Sequence, residues 1–300
     1  MVKKKWGVND VTSQDGKRFI VTGSNTGTGF HIAKNLAING GEVILACRNE
    51  SKARQAMERI RSVRQDAKIS FEELDLASLK SVEEFCNVIK SKYEHIDVLV
   101  NNAGVMVPPK SETEDGFELQ FGVNHLGHFA LTGKLLPMLE QSQHPRIVCM
   151  SSIAHNMGKI DFEDINCKKS KYRKWARYSQ SKLANLIFAL ELDSRLTESG
   201  YKSRAIASHP GYSATDLQRH TGSKFMNYII AMSAEQGSLP ALFASTEDEA
   251  LTYPYWGPAG GQEIRGWTGK AKINKKAKDK SVAKRLWEIS CELTGTDYLN

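Results

Sequence analysis

Tyr178 and Lys182 stand four residues apart at the start of a long helical stretch, residues 181–196, and that spacing places both side chains on one helix face. A free tyrosine, with a pKa of ~10, is a poor proton donor or acceptor near neutrality. An ammonium ~4 Å away favours the phenolate by up to ~4 kcal/mol at an effective dielectric of 20, at most ~3 pKa units. The pair is therefore a candidate for general acid–base work on an oxygen. Taken alone it also reads as two residues of a solvated helix. Ser151-Ser152 add hydroxyls at the end of an apolar run, residues 146–150, and Asn124 adds an amide within Phe121-Gly122-Val123-Asn124-His125.

A second group of residues suits phosphate rather than protons. Thr22-Gly23-Ser24-Asn25-Thr26-Gly27-Thr28-Gly29 follows an apolar run at 17–22 and opens a helical pattern at 27–39. Glycines there let the backbone approach a pyrophosphate, and the new helix offers free N–H groups and its positive dipole end. A tight turn with no ligand has the same composition, but the placement between the first strand and first helix is the context a dinucleotide site requires. About 20 residues on, where an acidic residue would take the ribose hydroxyls of NAD, this chain has Arg48-Asn49. A guanidinium pairs with a 2′-phosphate and a carboxylate repels it, so the expected cofactor is NADP, with NADPH preferred over NADH.

These groups must be carried by an α/β scaffold. Apolar runs at 17–22, 42–47, 68–74, 96–101, 146–150 and 204–208 read as strands, with helical patterns at 27–39, 52–63, 81–90 and 181–196 and further long helical segments between the later strands. That alternation predicts βαβ units in a Rossmann-like, doubly wound parallel sheet flanked by helices. The continuous apolar character of the runs fits strands buried on both faces. The motifs spread from Thr22 to Thr215, which favours one domain over 1–300, with 223–261 as a substrate-side lobe and 271–295 as a helical tail.

The motif order resembles the short-chain dehydrogenase/reductase family. TGxxxGxG at 22–29, Asn101-Asn102-Ala103-Gly104, Asn124, Ser151-Ser152, Tyr178-Ser179-Gln180-Ser181-Lys182 and Pro210-Gly211 through Thr215 occur in that family's sequence. Thr28 stands where the family usually has isoleucine. The resemblance implies that Ser152 and Tyr178 hold a carbonyl oxygen, that Lys182 tunes the tyrosine and holds the nicotinamide ribose, and that Asn124 supports a water in a proton relay. It implies that Gly23, Ser24, Asn25, Thr26, Gly27, Thr28, Gly29, Arg48, Asn49, Asp75, Leu76, Asn102, Ala103, Gly104, Pro210, Gly211, Ser213 and Thr215 line the cofactor, with Asp75 at the adenine. The expected reaction is hydride transfer between an aldehyde or ketone and an alcohol. Tyr178 lies 26 residues after Ser152, and the extra polar segment 160–175, with His125-Leu126-Gly127-His128-Phe129 and Ser151-Ser152-Ile153-Ala154-His155, resembles the retinol-dehydrogenase-like branch. A small lipophilic carbonyl or alcohol is the implied substrate, and a homodimer or homotetramer the implied assembly. The C-terminal end resembles soluble bacterial members.

Composition narrows the other readings. Lys+Arg number 41 against 34 Asp+Glu, a net charge of +7 concentrated at Lys168–Arg177 and Lys270–Arg285. Neither stretch interleaves aromatics as a single-strand nucleic-acid platform does, so solvated faces are expected. The five cysteines form no CxxC pair, which fits a reducing compartment. Cys47 and Cys149 read as buried small hydrophobes. The N-terminus reads as no signal peptide and no run of 18 apolar residues occurs, so a cytoplasmic protein with no membrane span is expected. His125 and His128 lack a third ligand at metal spacing, so no metal is expected. Trp175, Phe225, Met226, Tyr228, Met232 and Trp256 suit either an apolar pocket or the core. A nucleotide-sensing protein without turnover and an epimerase or dehydratase of the extended branch are the rival functions; intact Asn124, Ser152, Tyr178 and Lys182 argue against the first, and TGxxxGxG spacing against the second.

Overall fold

The computed structural model describes residues 5–212 and 232–299. Strands β1 (Arg18–Thr22), β2 (Glu42–Cys47), β3 (Ile69–Glu73), β4 (Val98–Asn101), β5 (Arg146–Met150) and β6 (Arg204–Ser208) form where the apolar runs predict them. They join β7 (Tyr255–Gly260) and β8 (Arg265–Lys270) in one sheet of order β3-β2-β1-β4-β5-β6-β7-β8. All neighbours are parallel except the β7–β8 hairpin. The chain winds outward from β1 to β3, then returns to lay β4 beside β1, which opens a crevice at the carboxyl ends of those two strands.

Period-two alternation explains how the sheet is covered. Phe19 and Val21 of β1 belong to one apolar cluster, with Val43, Leu45, Val98 and Val100. Ile20 lies between them and joins the other, with Ile44, Leu99 and Ile147. Both faces are thus apolar and both need helices. Helices α1 (Gly27–Ile38) and α2 (Glu50–Arg61) bury Ile32, Leu36 and Ile60 on the first face. Helices α3 (Leu79–Lys92), α4 (Gly127–Leu139) and α5 (Lys174–Glu198) bury Phe85, Phe129 and Leu186 on the second. Helix α6 (Ala234–Thr246) returns to the first face through Leu242 and Phe243.

The structure departs from the sequence expectations in one feature and settles others. The described part of 223–261 is built into the main layers instead of forming a lobe, because α6 packs in the core and β7 extends the sheet. Trp256 is fully buried and stacks 4.7 Å from Phe243, so it is a core residue. Met232 is buried and Trp175 is 48% exposed; Phe225, Met226 and Tyr228 lie outside the described residues. The tail forms a short 3-10 turn, Lys275–Lys278, and α7 (Lys280–Thr294). Trp287 of α7 packs 5.1 Å from Phe129 of α4 and 6.0 Å from Phe188 of α5, so the chain itself covers this aromatic face of α4 and α5. Among the described residues no helix is long and apolar enough to cross a membrane.

Candidate active site

The crevice between β1 and β4 is made narrow by glycine. Gly23 turns at φ +63, and a Cβ there would lie 2.9 Å from Cα of Ala103. A Cβ on Gly29 would lie 2.5 Å from the Gly23 carbonyl oxygen and would collide with the Asn102 amide. The turn after β1 and the turn after β4 therefore pack backbone against backbone, which only glycine permits. Thr22 and Asn102 lock them: Asn102 Nδ2 donates to the Thr22 carbonyl at 2.8 Å, and the N–H groups of Asn102 and Ala103 each donate to Thr22 Oγ1 at 2.9 Å.

A cavity of about 410 Å³ follows this crevice. Gly23, Asn25, Thr26, Gly27, Thr28 and Gly29 line one wall, and Asn102, Ala103 and Gly104 another. Arg48, Asn49, Asp75 and Leu76 close its outer end. Ser24 is different: it is fully buried, and its hydroxyl donates to the Val21 carbonyl at 2.7 Å, so its side chain shapes the turn. Thr26 is the N-cap of α1 yet makes no side-chain cap bond, whereas Asn49 and Ser78 cap α2 and α3 with theirs. The first-turn amides of α1 are thus left for an anion. A cradle that any Cβ would fill, floored by uncapped amides, fits the pyrophosphate of a dinucleotide.

At the outer end the Arg48 guanidinium lies 3.5 Å from Asp75 and is 73% exposed. Such a pair is worth about 1 kcal/mol or less, so Arg48 is free to turn toward a ligand. Lys52 also lines this end and sequence reading missed it; a second cation in the first turn of α2 was the available signal.

The catalytic candidates gather where the cleft passes Gly104, whose Cβ position lies 3.0 Å from Asn124 Oδ1 and 3.5 Å from Lys182 Nζ. Tyr178 and Lys182 share the inner face of α5, and both are buried. Ser152 ends the turn after β5, where its hydroxyl accepts the Ala154 N–H at 3.2 Å and favours the ionised form of the Tyr178 phenol. Lys182 Nζ donates to the Met150 carbonyl at 3.2 Å. Asn124 sits in a π-helical turn, Gly122–Leu126, inserted before α4; such turns recur at functional sites. Its Oδ1 accepts the Val105 N–H at 2.7 Å, and its Nδ2 donates to the Val105 carbonyl at 3.0 Å and to Ser181 Oγ at 2.9 Å.

The tuning differs from the sequence expectation. Burial pushes the Tyr178 phenol up to about 12, opposed by the Ser152 hydroxyl, and burial pulls the Lys182 ammonium down to about 8. Lys182 Nζ lies 5.9 Å from the phenol ring centre, so the protein's own groups do not bring the tyrosine near neutrality. Desolvation penalises phenolate and ammonium alike. The phenol is held protonated.

Pro210 and Gly211 follow β6 at the same sheet edge, with Gly211 at φ +66 and its N–H bonded to His209 Nδ1 at 3.2 Å. Ser213 and Thr215 lie outside the described residues.

The family model for short chain dehydrogenases matches residues 17–225. The chain belongs to the short-chain dehydrogenase family. Within that family it is retinol-dehydrogenase-like: it is 43% identical to retinol dehydrogenase 13 of Homo sapiens over 94% of this chain and 86% of that protein, and 38% identical to retinol dehydrogenase 12 of Mus musculus over 94% and 88%. A solved structure of an uncharacterised Mycobacterium paratuberculosis protein superposes with a TM-score of 0.83 at 38% identity, covering 98% of this chain and 99% of that one. A Shigella flexneri short-chain dehydrogenase solved with NADP shares the fold at 22% identity and a TM-score of 0.65, covering 82% and 97%. This short-chain dehydrogenase is thus an oxidoreductase of the alcohol–carbonyl class that works with a nicotinamide cofactor.

Proposed function

We infer that the protein is an NADP(H)-dependent enzyme that interconverts a lipophilic aldehyde or ketone and its alcohol, with Tyr178 as the proton donor in reduction and acceptor in oxidation. The observation that carries this reading is the buried Tyr178–Lys182 pair on one face of α5, with Lys182 and Asn124 meeting at Gly104 at the inner end of the cleft. The nicotinamide, when bound, supplies or accepts the hydride. Ser152 and Tyr178 present two hydroxyls to one carbonyl oxygen and orient it. As negative charge develops on that oxygen, the Tyr178 phenol gives up its proton, which a phenol held at about 12 retains until needed. Lys182, ammonium below about pH 8, stabilises the phenolate left behind. Asn124, fixed by Val105 and Ser181, would hold the water that returns a proton toward Lys182.

Arg48 and Lys52 at the outer end support a 2′-phosphate, hence NADP(H). The retinol dehydrogenases among its relatives act, by name, on a lipophilic alcohol, which supports a substrate of that class. The test is cofactor consumption at 340 nm against a panel of aldehydes, ketones and quinones, with NADPH and NADH side by side. Turnover with NADPH preferred supports the reading. Tight NADPH binding with no turnover of any compound would replace it with a nucleotide-sensing role.

A further inference from the structure

His128 takes no part in the chemistry above, yet it bridges the two halves of the cleft. It lies in the first turn of α4 and is 2% exposed. Its Nδ1 is 3.0 Å from the backbone carbonyl oxygen of Asn124, and its Nε2 is 2.9 Å from Thr22 Oγ1. A carbonyl oxygen only accepts, so Nδ1 must carry the hydrogen and Nε2 must be the bare acceptor. Thr22 completes the pattern. Its hydroxyl oxygen accepts the N–H groups of Asn102 and Ala103, each at 2.9 Å. Its single hydrogen is then directed to His128 Nε2, with the Val100 carbonyl a longer alternative at 3.3 Å. One unbroken chain of hydrogen bonds runs from the turn after β4, through Thr22 and His128, to Asn124.

The neighbouring histidine sharpens the point. His125 Nε2 is 2.9 Å from Ser290 Oγ, whose own hydrogen goes to the Leu286 carbonyl at 2.7 Å. His125 therefore donates through Nε2 to α7 while His128 donates through Nδ1 to Asn124. The pair spaced like metal ligands holds the π-helical turn from two sides, with opposite tautomers.

We propose that His128 is a positioning residue: it ties the nucleotide-binding turns to the carbonyl of Asn124 and so sets the Asn124–Lys182 geometry from the cofactor side. This rests on the function proposed above for that site. Burial holds the His128 imidazole neutral, down to about 4, so it acts as a fixed donor–acceptor and exchanges no proton with substrate.

Two measurements test it. The first is ¹⁵N NMR of the full chain labelled in histidine, which reads the tautomer without any turnover. The expected result is Nδ1–H with bare Nε2, unchanged between about pH 6 and 8. A protonated Nε2, or a resonance titrating in that range, overturns the proposal. The second compares His128→Asn, whose amide can replace Nδ1 toward Asn124, with His128→Gln, whose amide can replace Nε2 toward Thr22. His128→Gln should lose about tenfold or more in kcat, because the Asn124 backbone carbonyl loses its tie to the imidazole, while its KM for NADPH stays within about twofold. His128→Asn should restore most of kcat and raise the KM for NADPH instead. Equal losses in both variants, tracking only Tm, would show a packing role and overturn the proposal. If the wild-type protein turns over nothing, the proposed function fails, while the tautomer measurement still decides this inference.

Discussion

At the proposed nucleotide end of the cleft the chain presents backbone, and at the proposed catalytic end it presents side chains. Gly23, Gly27 and Gly29 remove Cβ atoms so that amides can meet a ligand, and the charges at the rim, Arg48 and Lys52, are exposed. Around Tyr178 the polar side chains are withdrawn from water and held by the protein: Lys182 by Met150, Asn124 by Val105 and Ser181. Exposed charge is screened and adaptable, whereas a buried polar group is costly to disturb. Substitutions at the inner end should therefore act on rate, steeply, and substitutions at the outer end on cofactor choice, mildly.

The largest effect we expect from breaking this contrast, short of removing the tyrosine, is at Lys182. Lys182→Met should lower kcat for carbonyl reduction by about a hundredfold or more, with NADPH binding changed far less. The wild-type enzyme should also lose rate as pH rises through about 8, where the burial-depressed ammonium gives up its proton while the phenol, held at about 12, stays protonated. That limb should vanish from the pH profile of Lys182→Met. A limb that survives the substitution would assign it to another group.

Gly29→Val tests the backbone end. The added side chain meets the Gly23 carbonyl and Asn102, an overpacking cost of about 1–3 kcal/mol. Calorimetry should show a Tm lower by several degrees, and fluorescence titration an NADPH Kd raised about tenfold. The smallest effect belongs to the exposed rim: Arg48→Gln should weaken NADPH by a few fold to about tenfold and leave NADH unchanged, because the lost ion pair is solvated. An equal loss for both cofactors would mean that Arg48 does not read the 2′-phosphate.

The same contrast marks how far the sequence could be read. The glycine turn was legible because a strand–turn–helix suited to a phosphate tolerates few residue types, Asn101–Gly104 only through its family motif, and strands β1 to β6 because burial on both faces leaves an unbroken apolar run. Strands β7 and β8 were not, since Pro258 and the glycines at 257, 260, 266 and 269 suppress strand propensity and their pairing is set by packing on β6. The π-helical turn at Asn124 escaped because one extra residue per turn leaves little trace in apolar periodicity. Spacing put Tyr178 and Lys182 on one face but could not say that both are desolvated, which is why the phenol moves up instead of down.

The central claim, that Tyr178 handles the proton while the rest of the cleft binds and orients, is tested most directly by single-turnover oxidation of NADPH in Tyr178→Phe with cofactor binding measured on the same sample. The account predicts NADPH affinity within a few fold of wild type and a rate lower by about a thousandfold or more. A variant that binds NADPH and reduces the carbonyl within about tenfold of the wild-type rate would contradict it.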